Sequence, residues 1–424
     1  MSRKWYSLID KVYSKTNLEK AFKTVKSNKG APGVDGETVD DFAANLNTNI
    51  TKLHEELKTD TYEAQPVRRV YIDRPDGSKR PLGIPTVRDR VVQQALRNVM
   101  EPIFEPEFHP SSYGYRPTRS GHKAVAKAER FMNKYGLRYV VDMDLSKCFD
   151  TLDHELIIDL VNKKISDGKV LRLVRKFLKS GVMEDGQIQT AEIGNPQGGV
   201  ISPLLMNIYL NEFDQEMKEK DIRIVRYADD ILILARSRRE AGEYRRIATQ
   251  ILEQELKLKV NQEKTSITSI YEGVAYLGFT IYLNNVIIHP ERIQKFKDRV
   301  REITKSTQGR NLEGVIQKLN SVIRGWSNYF GIANCKRIFK ELMAWIRRRL
   351  RMKKMKEWKS WKALHKQLRR NGYKGEFEKI RMNSWRNSGC TLVHIALPNK
   401  WFDKVGLYDL SKTKVGILYG YYEI

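Results

Sequence analysis

Cysteine is scarce in this 424-residue chain: Cys148, Cys335 and Cys390 lie far apart and form no Cys-x-x-Cys pair. Neither a disulfide framework nor a cysteine-based zinc site is expected, and a reducing compartment fits. The seven histidines, His54, His109, His122, His154, His289, His365 and His394, show no ligand spacing with one another or with cysteine, so zinc is not expected. Long apolar runs are also missing. No stretch approaches about 18 uninterrupted apolar residues, and Met1 to Lys11 lacks an apolar core, which argues against membrane spanning and secretion. The expectation is a cytoplasmic protein with no membrane partner. Internal repeats and low-complexity segments are absent. The remaining shortage is acid: 51 Asp and Glu stand against 77 Lys and Arg, a formal charge of +26. Such a bias points to a polyanion, nucleic acid above all.

What is present reads as four regions. Residues 1–66 are helical in pattern, with Asn17 placed to cap a helix whose apolar face is Leu18, Ala21, Phe22 and Val25. Residues 67–289 alternate strands and helices, an α+β core, with a turn at Pro75-Asp76-Gly77 between Val67 to Ile72 and the basic arm Lys79-Arg80. From residue 290 to 372 the pattern is helical again. Ile316, Leu319, Ile323, Trp326 and Phe330 recur at helical steps, as do Ile338, Leu342, Ile346 and Leu350; Trp358, Trp361, Leu364 and Leu368 continue as a further stripe. The polar faces carry Arg347, Arg348, Arg349, Arg351, Lys353, Lys354 and Lys356 against only Glu341 and Glu357, a one-signed run that suits a phosphate backbone better than a solvated ion-pair face. Residues 373–424 read as a small, basic, weakly specified appendage.

Three segments carry chemistry. In Tyr139 to Leu145 a two-residue period sets Asp142 and Asp144 on one strand face, where two acids repel unless a cation lies between them. Tyr227-Ala228-Asp229-Asp230 falls between the apolar runs Ile222 to Val225 and Ile231 to Leu234, a hairpin with acid at its tip. Between these, Gly194-Asn195-Pro196-Gln197-Gly198-Gly199 precedes Ser202-Pro203, expected to cap and open a helix, with glycines that let backbone approach a ligand closely. Together they are the parts needed to hold two Mg²⁺ ions against a nucleoside triphosphate.

The order Asp144 to Asp150 (Asp-Leu-x-x-x-Phe-Asp), Pro196-Gln197-Gly198 and Tyr227 to Asp230 resembles the reverse transcriptases of group II introns. The segments Arg74 to Pro85, Ser112 to Pro117, Leu258 to Thr265, Tyr276 to Phe279 and Gly325 to Phe330 extend the resemblance over nearly the whole chain. It implies a right-hand polymerase: an N-terminal extension (1–66), fingers and palm (67–289), an α-helical thumb or maturase X domain (290–372), and a basic segment (373–424) that could bind DNA. The HNH endonuclease of many relatives, with its cysteine pairs, is not expected. The implied activity is RNA-directed DNA synthesis with two Mg²⁺ ions, Mn²⁺ as a possible substitute, and deoxynucleoside triphosphates. The implied partners are group II intron RNA, an RNA template with a DNA primer, and target DNA, for a monomer or homodimer. By matching position, Asp144, Asp229 and Asp230 resemble the catalytic metal ligands, with Asp142 as a rival. Arg80 and Lys79 match triphosphate-gripping residues, Gln197 and Gly198 the loop at the nascent base pair, and Lys264 a lysine that assists pyrophosphate departure. Phe149 matches the sugar-selecting gate, a packed aromatic being the alternative, and Tyr276 to Phe279 the primer grip, or else a buried strand. Rival readings are a splicing maturase with secondary polymerase activity, a retron-like or other non-intron reverse transcriptase, and an RNA-dependent RNA polymerase, against which Phe149 speaks.

Overall fold

The computed structural model describes residues 4–73, 77, 79–146, 148–184, 187–189, 198–305 and 311–422. The chain divides into two compact units: one runs to Ala124 and includes Tyr135–Ser269, and the other comprises Val125–Lys134 and everything from Ile270 onward.

The first unit opens with helices α1 (Ile9–Tyr13), α2 (Lys15–Ser27), α3 (Val39–Ala44) and α4 (Leu46–Lys58). Leu18, Ala21, Phe22 and Val25 are all buried on α2, as the spacing predicts. Its cap is Ser14, whose hydroxyl accepts from the Asn17 amide; Asn17 instead sits inside the first turn and donates to Val12 and Ala95. Strands β1 (Val67–Asp73) and β2 (Lys79–Ile84) form an antiparallel hairpin, followed by α5 (Val87–Phe104) and by α6 (Gly121–Asn133), which belongs to the second unit from Val125 onward. Next come β3 (Tyr139–Met143), α7 (His154–Asn162), α8 (Gly168–Lys179), β4 (Val182–Glu184), β5 (Gln187–Gln189) and α9 (Ser202–Glu219). The unit closes with β6 (Arg223–Tyr227), β7 (Asp230–Ala235), α10 (Arg238–Gln250) and β8 (Ser266–Ser269).

Two four-stranded sheets result, ordered β2-β1-β4-β5 and β6-β7-β3-β8. The second is antiparallel throughout, and its centre is fully apolar: Val140, Val141 and Ile231 to Leu234 are buried. Polar side chains are thereby confined to the strand ends, which is where the acids lie.

Helix α9 does not start on Ser202 as a cap. Ile201 holds that position without a side-chain cap, and the Gln93 side chain from α5 accepts from the Val200 and Ile201 amides just before the helix at 2.7 and 3.3 Å, fixing the approach to it. Pro203 does fall in the first turn.

The second unit contains a three-stranded antiparallel sheet, β9 (Val274–Tyr276), β10 (Phe279–Tyr282) and β11 (Asn285–Ile288), in the order β11-β10-β9. Around it lie α11 (Pro290–Ile303), α12 (Leu312–Phe330), α13 (Lys336–Trp358), α14 (Trp361–Arg370), α15 (Thr391–Ala396) and α16 (Asn399–Lys404). The Gly325 to Phe330 segment builds an aromatic core: Trp326 stacks on Phe296 with ring centres 4.4 Å apart, and Phe330 meets Phe279 at 5.3 Å. Tyr276 and Phe279 are buried, but the segment is not one strand: they end β9 and begin β10 as a pair, and Leu277-Gly278 forms the tight turn between them.

Two expectations are corrected. The stripe through Trp358 and Trp361 is broken, because Lys359 adopts φ +58° and Ser360 caps a new helix. The residues after 372 are also well specified, packing on α13 through its cations: Arg351 donates to the Leu397 carbonyl at 3.0 Å, and Arg347 pairs with Asp409 at 2.9 Å. Much of the one-signed run therefore faces protein. Among the described residues no helix is long and apolar enough to cross a membrane.

Candidate active site

The site begins with register. Strands β3 and β7 pair Asp142 with Leu232 and Met143 with Ile231, so continuing one step sets Asp144 opposite Asp230. On the other side Tyr227 pairs with Asp230, leaving Ala228-Asp229 as a two-residue hairpin tip. Four carboxylates thus meet at one end of a sheet. Asp142, Asp144, Asp229 and Asp230 line a cleft of about 300 Å³ together with Met143, Leu145 and Lys264.

Their electrostatics record the crowding. Burial lifts the Asp230 carboxyl from its ordinary 3.8 to about 7, with Asp142, Asp229 and Asp144 adding to it. Burial and then Asp144 lift Asp142 to about 6. Asp144 is raised too, mainly by burial and further by Asp229, against the opposing pull of Lys264, whose Nζ stands 4.0 Å from its Oδ2. Lys264 is largely exposed, so this attraction is screened.

Hard, anionic oxygens from two strands suit hard divalent cations, whose charge would relieve the repulsion that raises these groups. Among the described residues no group of three or more His, Cys, Asp or Glu closes into an ion-binding set, so the carboxylates share a cleft without forming a shell by themselves. Such an open arrangement leaves positions for water and substrate phosphates.

Sequence reasoning missed what holds the tip in place. Ala228 adopts φ +60°, a conformation that costs an L-residue free energy and needs support. The support is Arg226, fully buried with Asp214 of α9 in an ion pair of 2.6 Å. Its Nη1 donates to the Ala228 carbonyl at 2.9 Å and to Asn207 Oδ1 at 3.0 Å, while Asn207 Nδ2 donates to the Gly114 carbonyl at 2.9 Å. Gly114 must be glycine, since a methyl there would meet the Ala228 nitrogen at 2.3 Å. The signal was faint: Asn207 and Asp214 are polar positions seven apart on a helix that is otherwise mostly buried and apolar.

The same loop is folded about Arg116, which pairs with Glu105 at 2.8 Å and donates to the His109 and Ser112 carbonyls. It brings Tyr115 to the site. Burial raises the Tyr115 phenol, Asp229 and Tyr227 add to this, and Arg80 opposes it, so an arm of β2 and the acidic tip act on one exposed ring.

The other expected residues are placed as follows. Lys79 and Arg80 are exposed at the start of β2. Gly198 has φ +119°, and a methyl on it would strike the Gly83 carbonyl at 2.1 Å, so Gly198 itself lies directly on β2. Gln197 lies outside the described residues, as do its neighbours 191–196 and residues 74–76 of the first hairpin. Phe149 is buried in the unit's apolar core and is not part of the lining of the acidic cleft.

Comparison with known proteins decides the family. A family model described as reverse transcriptase (RNA-dependent DNA polymerase) matches residues 72–281, and one described as group II intron, maturase-specific domain, matches residues 293–373. The group II intron-encoded protein LtrA of Lactococcus lactis subsp. cremoris is 31% identical over 418 residues, spanning 74% of this chain and 68% of LtrA. The chain belongs to the group II intron-encoded reverse transcriptases. Protein YkfC of Escherichia coli (strain K12) is 38% identical over 300 residues, spanning 62% of this chain and 79% of YkfC. Telomerase from Candida albicans, solved with a fragment of telomeric RNA, aligns with a TM-score of 0.42 at 11% identity, over 70% of this chain and 61% of that one. The enzyme is therefore an RNA-directed DNA polymerase of mixed α and β fold with a helical maturase region, and the maturase match favours an intron-encoded enzyme over a non-intron one. Reverse transcriptases use divalent metal ions.

Proposed function

We propose that this reverse transcriptase extends a DNA primer on an RNA template at the cleft formed by Asp144, Asp229 and Asp230, and that its maturase region binds the group II intron RNA to assist splicing and mobility. The observation that carries the reading is the meeting of these carboxylates at one sheet end, with Asp229 on the strained tip that Arg226 supports. Asp144, Asp229 and Asp230 would hold two Mg²⁺ ions, with Asp142 behind them as a buried neighbour. Bound there, the ions supply Lewis acidity for the attacking 3′-hydroxyl and neutralise charge on the departing pyrophosphate.

The chain's own residues do the rest. Arg80 and Lys79 supply charge-assisted hydrogen bonds to the triphosphate of an incoming deoxynucleotide. Gly198 and Gln197 let the loop before α9 approach the nascent base pair. Lys264, an exposed ammonium 4.0 Å from Asp144, would act on the leaving phosphate. Residues 290–372 serve as the thumb, and residues 373–424 complete it. The net charge of +26 suits intron RNA and target DNA as partners.

The experiment is direct: purified protein, annealed RNA template and DNA primer, Mg²⁺, and either deoxynucleotides or ribonucleotides. Extension with deoxynucleotides supports the reading, and its absence contradicts it. Splicing of the intron that encodes the protein, with and without added protein, tests the maturase role.

Phe149 is assigned as the ribose discriminator from its place in the Asp144 to Asp150 motif, its ring being 8% exposed. Phe149→Val should admit ribonucleotides, measured as the ratio of kcat/KM for the two sugars. An unchanged ratio places the gate elsewhere.

Ion-free protein should also show a defined pH dependence. Asp142 and Asp230 have folded values above 3.8, so they bind protons more tightly when folded, and the stability they contribute is present below that value. It is lost as pH rises through about 6 and about 7. In EDTA the melting temperature should fall between about pH 4 and pH 7, and added Mg²⁺ should raise it more at the higher pH, because the ligands must be deprotonated. A Mg²⁺ effect independent of pH would contradict the assignment.

A further inference from the structure

The cations of α13 divide by partner. Arg347 pairs with Asp409, Arg348 donates to the Trp385 carbonyl, Arg349 to Thr304, Arg351 to Leu397 and Asn399, and Lys354 pairs with Glu357. Lys353 and Lys356 have no hydrogen-bond or ion-pair partner among the described residues, although Lys353 is only 7% exposed. Lys353 is thus held in place by packing of its stem while its ammonium still reaches solvent, so an anion in the cleft would gain a positioned counter-charge.

Both lysines open on a cleft of about 620 Å³, walled also by Lys305, Arg349, Asn383 and Trp385. No carboxylate lines it among the described residues. Four cations face one cavity, Arg349 is held by Thr304 and backed by Arg301, and the Trp385 ring, 41% exposed, forms one side. The matching ligand is an anion that brings several acceptors to the lysines and a flat apolar surface to the indole. A nucleotide unit has both, whereas an acidic peptide offers only the first.

We propose that this cleft seats a phosphodiester of a bound nucleic-acid strand, with Lys353 as the contact fixed by packing, Lys305, Lys356 and Arg349 around it, and Trp385 against the adjoining sugar or base. The assignment rests on the chain being a nucleic-acid enzyme but is independent of the carboxylate cleft. A strand held here would be anchored to the same helix that ties down the residues after 372.

The test uses the full chain and the variants Lys353→Met, Lys356→Gln and the two combined. Binding of a fluorescein-labelled structured RNA and of an annealed RNA–DNA primer-template is followed over a salt series, with melting temperature alongside. The double variant should bind about tenfold more weakly, and its log–log salt slope should be shallower by roughly 1.4, two contacts at about 0.7 each on a single strand. Lys353→Met keeps the packed stem and should melt at about the wild-type temperature, whereas loss of a purely structural lysine would lower it. Should Lys353→Met be unstable, Lys305→Gln with Lys356→Gln gives the same reading from exposed positions. Weakening confined to structured RNA assigns the seat to intron-type RNA, and weakening that includes the primer-template assigns it to the polymerase substrate; either upholds the proposal. Unchanged affinity and slope for both probes overturns it, as does polyglutamate displacing RNA from the wild type but not from the variants, which would indicate an acidic protein partner. Asp229→Asn serves as the control: intact binding with no extension separates this seat from the metal site.

Discussion

Asp229→Asn leaves the protein folded and RNA-bound but lowers primer extension by far more than the roughly 10–100-fold typical of removing a residue that merely orients a metal ligand. Asparagine keeps the shape and is at home in a tight turn, so the hairpin between Tyr227 and Asp230 persists. What it loses is charge. The neutral amide is a weak partner for a hard divalent cation, and it takes one anion from a set of four whose members already raise one another's proton affinity. In the absence of ions the variant should be at least as stable as the wild type, because repulsion falls. Loss of activity with unchanged or raised melting temperature is the combination expected, and extension near the wild-type rate would remove Asp229 from the site.

The second large effect comes from outside the cleft. Arg226→Met strands Asp214 as a buried, unpaired carboxylate, and breaking a pair of this kind costs about 3–5 kcal/mol. Urea unfolding should show that loss. Replacing both partners, Arg226→Met with Asp214→Leu, should recover most of it, since a well-packed apolar pair is a fair substitute for a buried ion pair. Activity should not return with stability. The Ala228 carbonyl would still lack the donor now 2.9 Å away, and nothing else would hold φ +60° at the tip that aims Asp229. A stable double variant with full extension would show that the pair serves folding alone.

The difference between these two predictions tracks what the sequence made legible. The acids could be read because they lie next to one another or at strand period, flanked by β-type residues, and because the metal chemistry they serve needs oxygen ligands in close order. The α2 face was legible for a related reason, as Leu18, Ala21, Phe22 and Val25 repeat at helical steps. The Arg226–Asp214–Asn207–Gly114 support was not, because it joins a strand, a helix and a loop nearly a hundred residues apart through contacts that leave no periodic trace. Capping failed in the same way. A serine at residue 202 has the right local chemistry, yet the helix begins on it with Ile201 as the cap, and the distant Gln93 side chain fixes the chain just ahead of that cap.

The basic run on α13 shows the limit of reading charge by composition. Its seven cations look alike in sequence, but five are committed to protein partners, which turns a general expectation of nucleic-acid binding into a claim about Lys353 and Lys356. Phe149 is the reverse case. Its place in the motif suggested a role that its burial leaves open to a sugar above it, and only a change in nucleotide selectivity decides between gate and core.

The central claim is that Asp144, Asp229 and Asp230 together hold the ions that serve DNA synthesis. It is tested most directly by counting bound Mn²⁺ by electron paramagnetic resonance, with an annealed RNA template, a chain-terminated DNA primer and the next deoxynucleotide present. The wild type should hold about two ions per complex, and the combined variant Asp144→Asn with Asp229→Asn should lose both while still binding the primer-template. Undiminished Mn²⁺ binding in that variant would contradict the account.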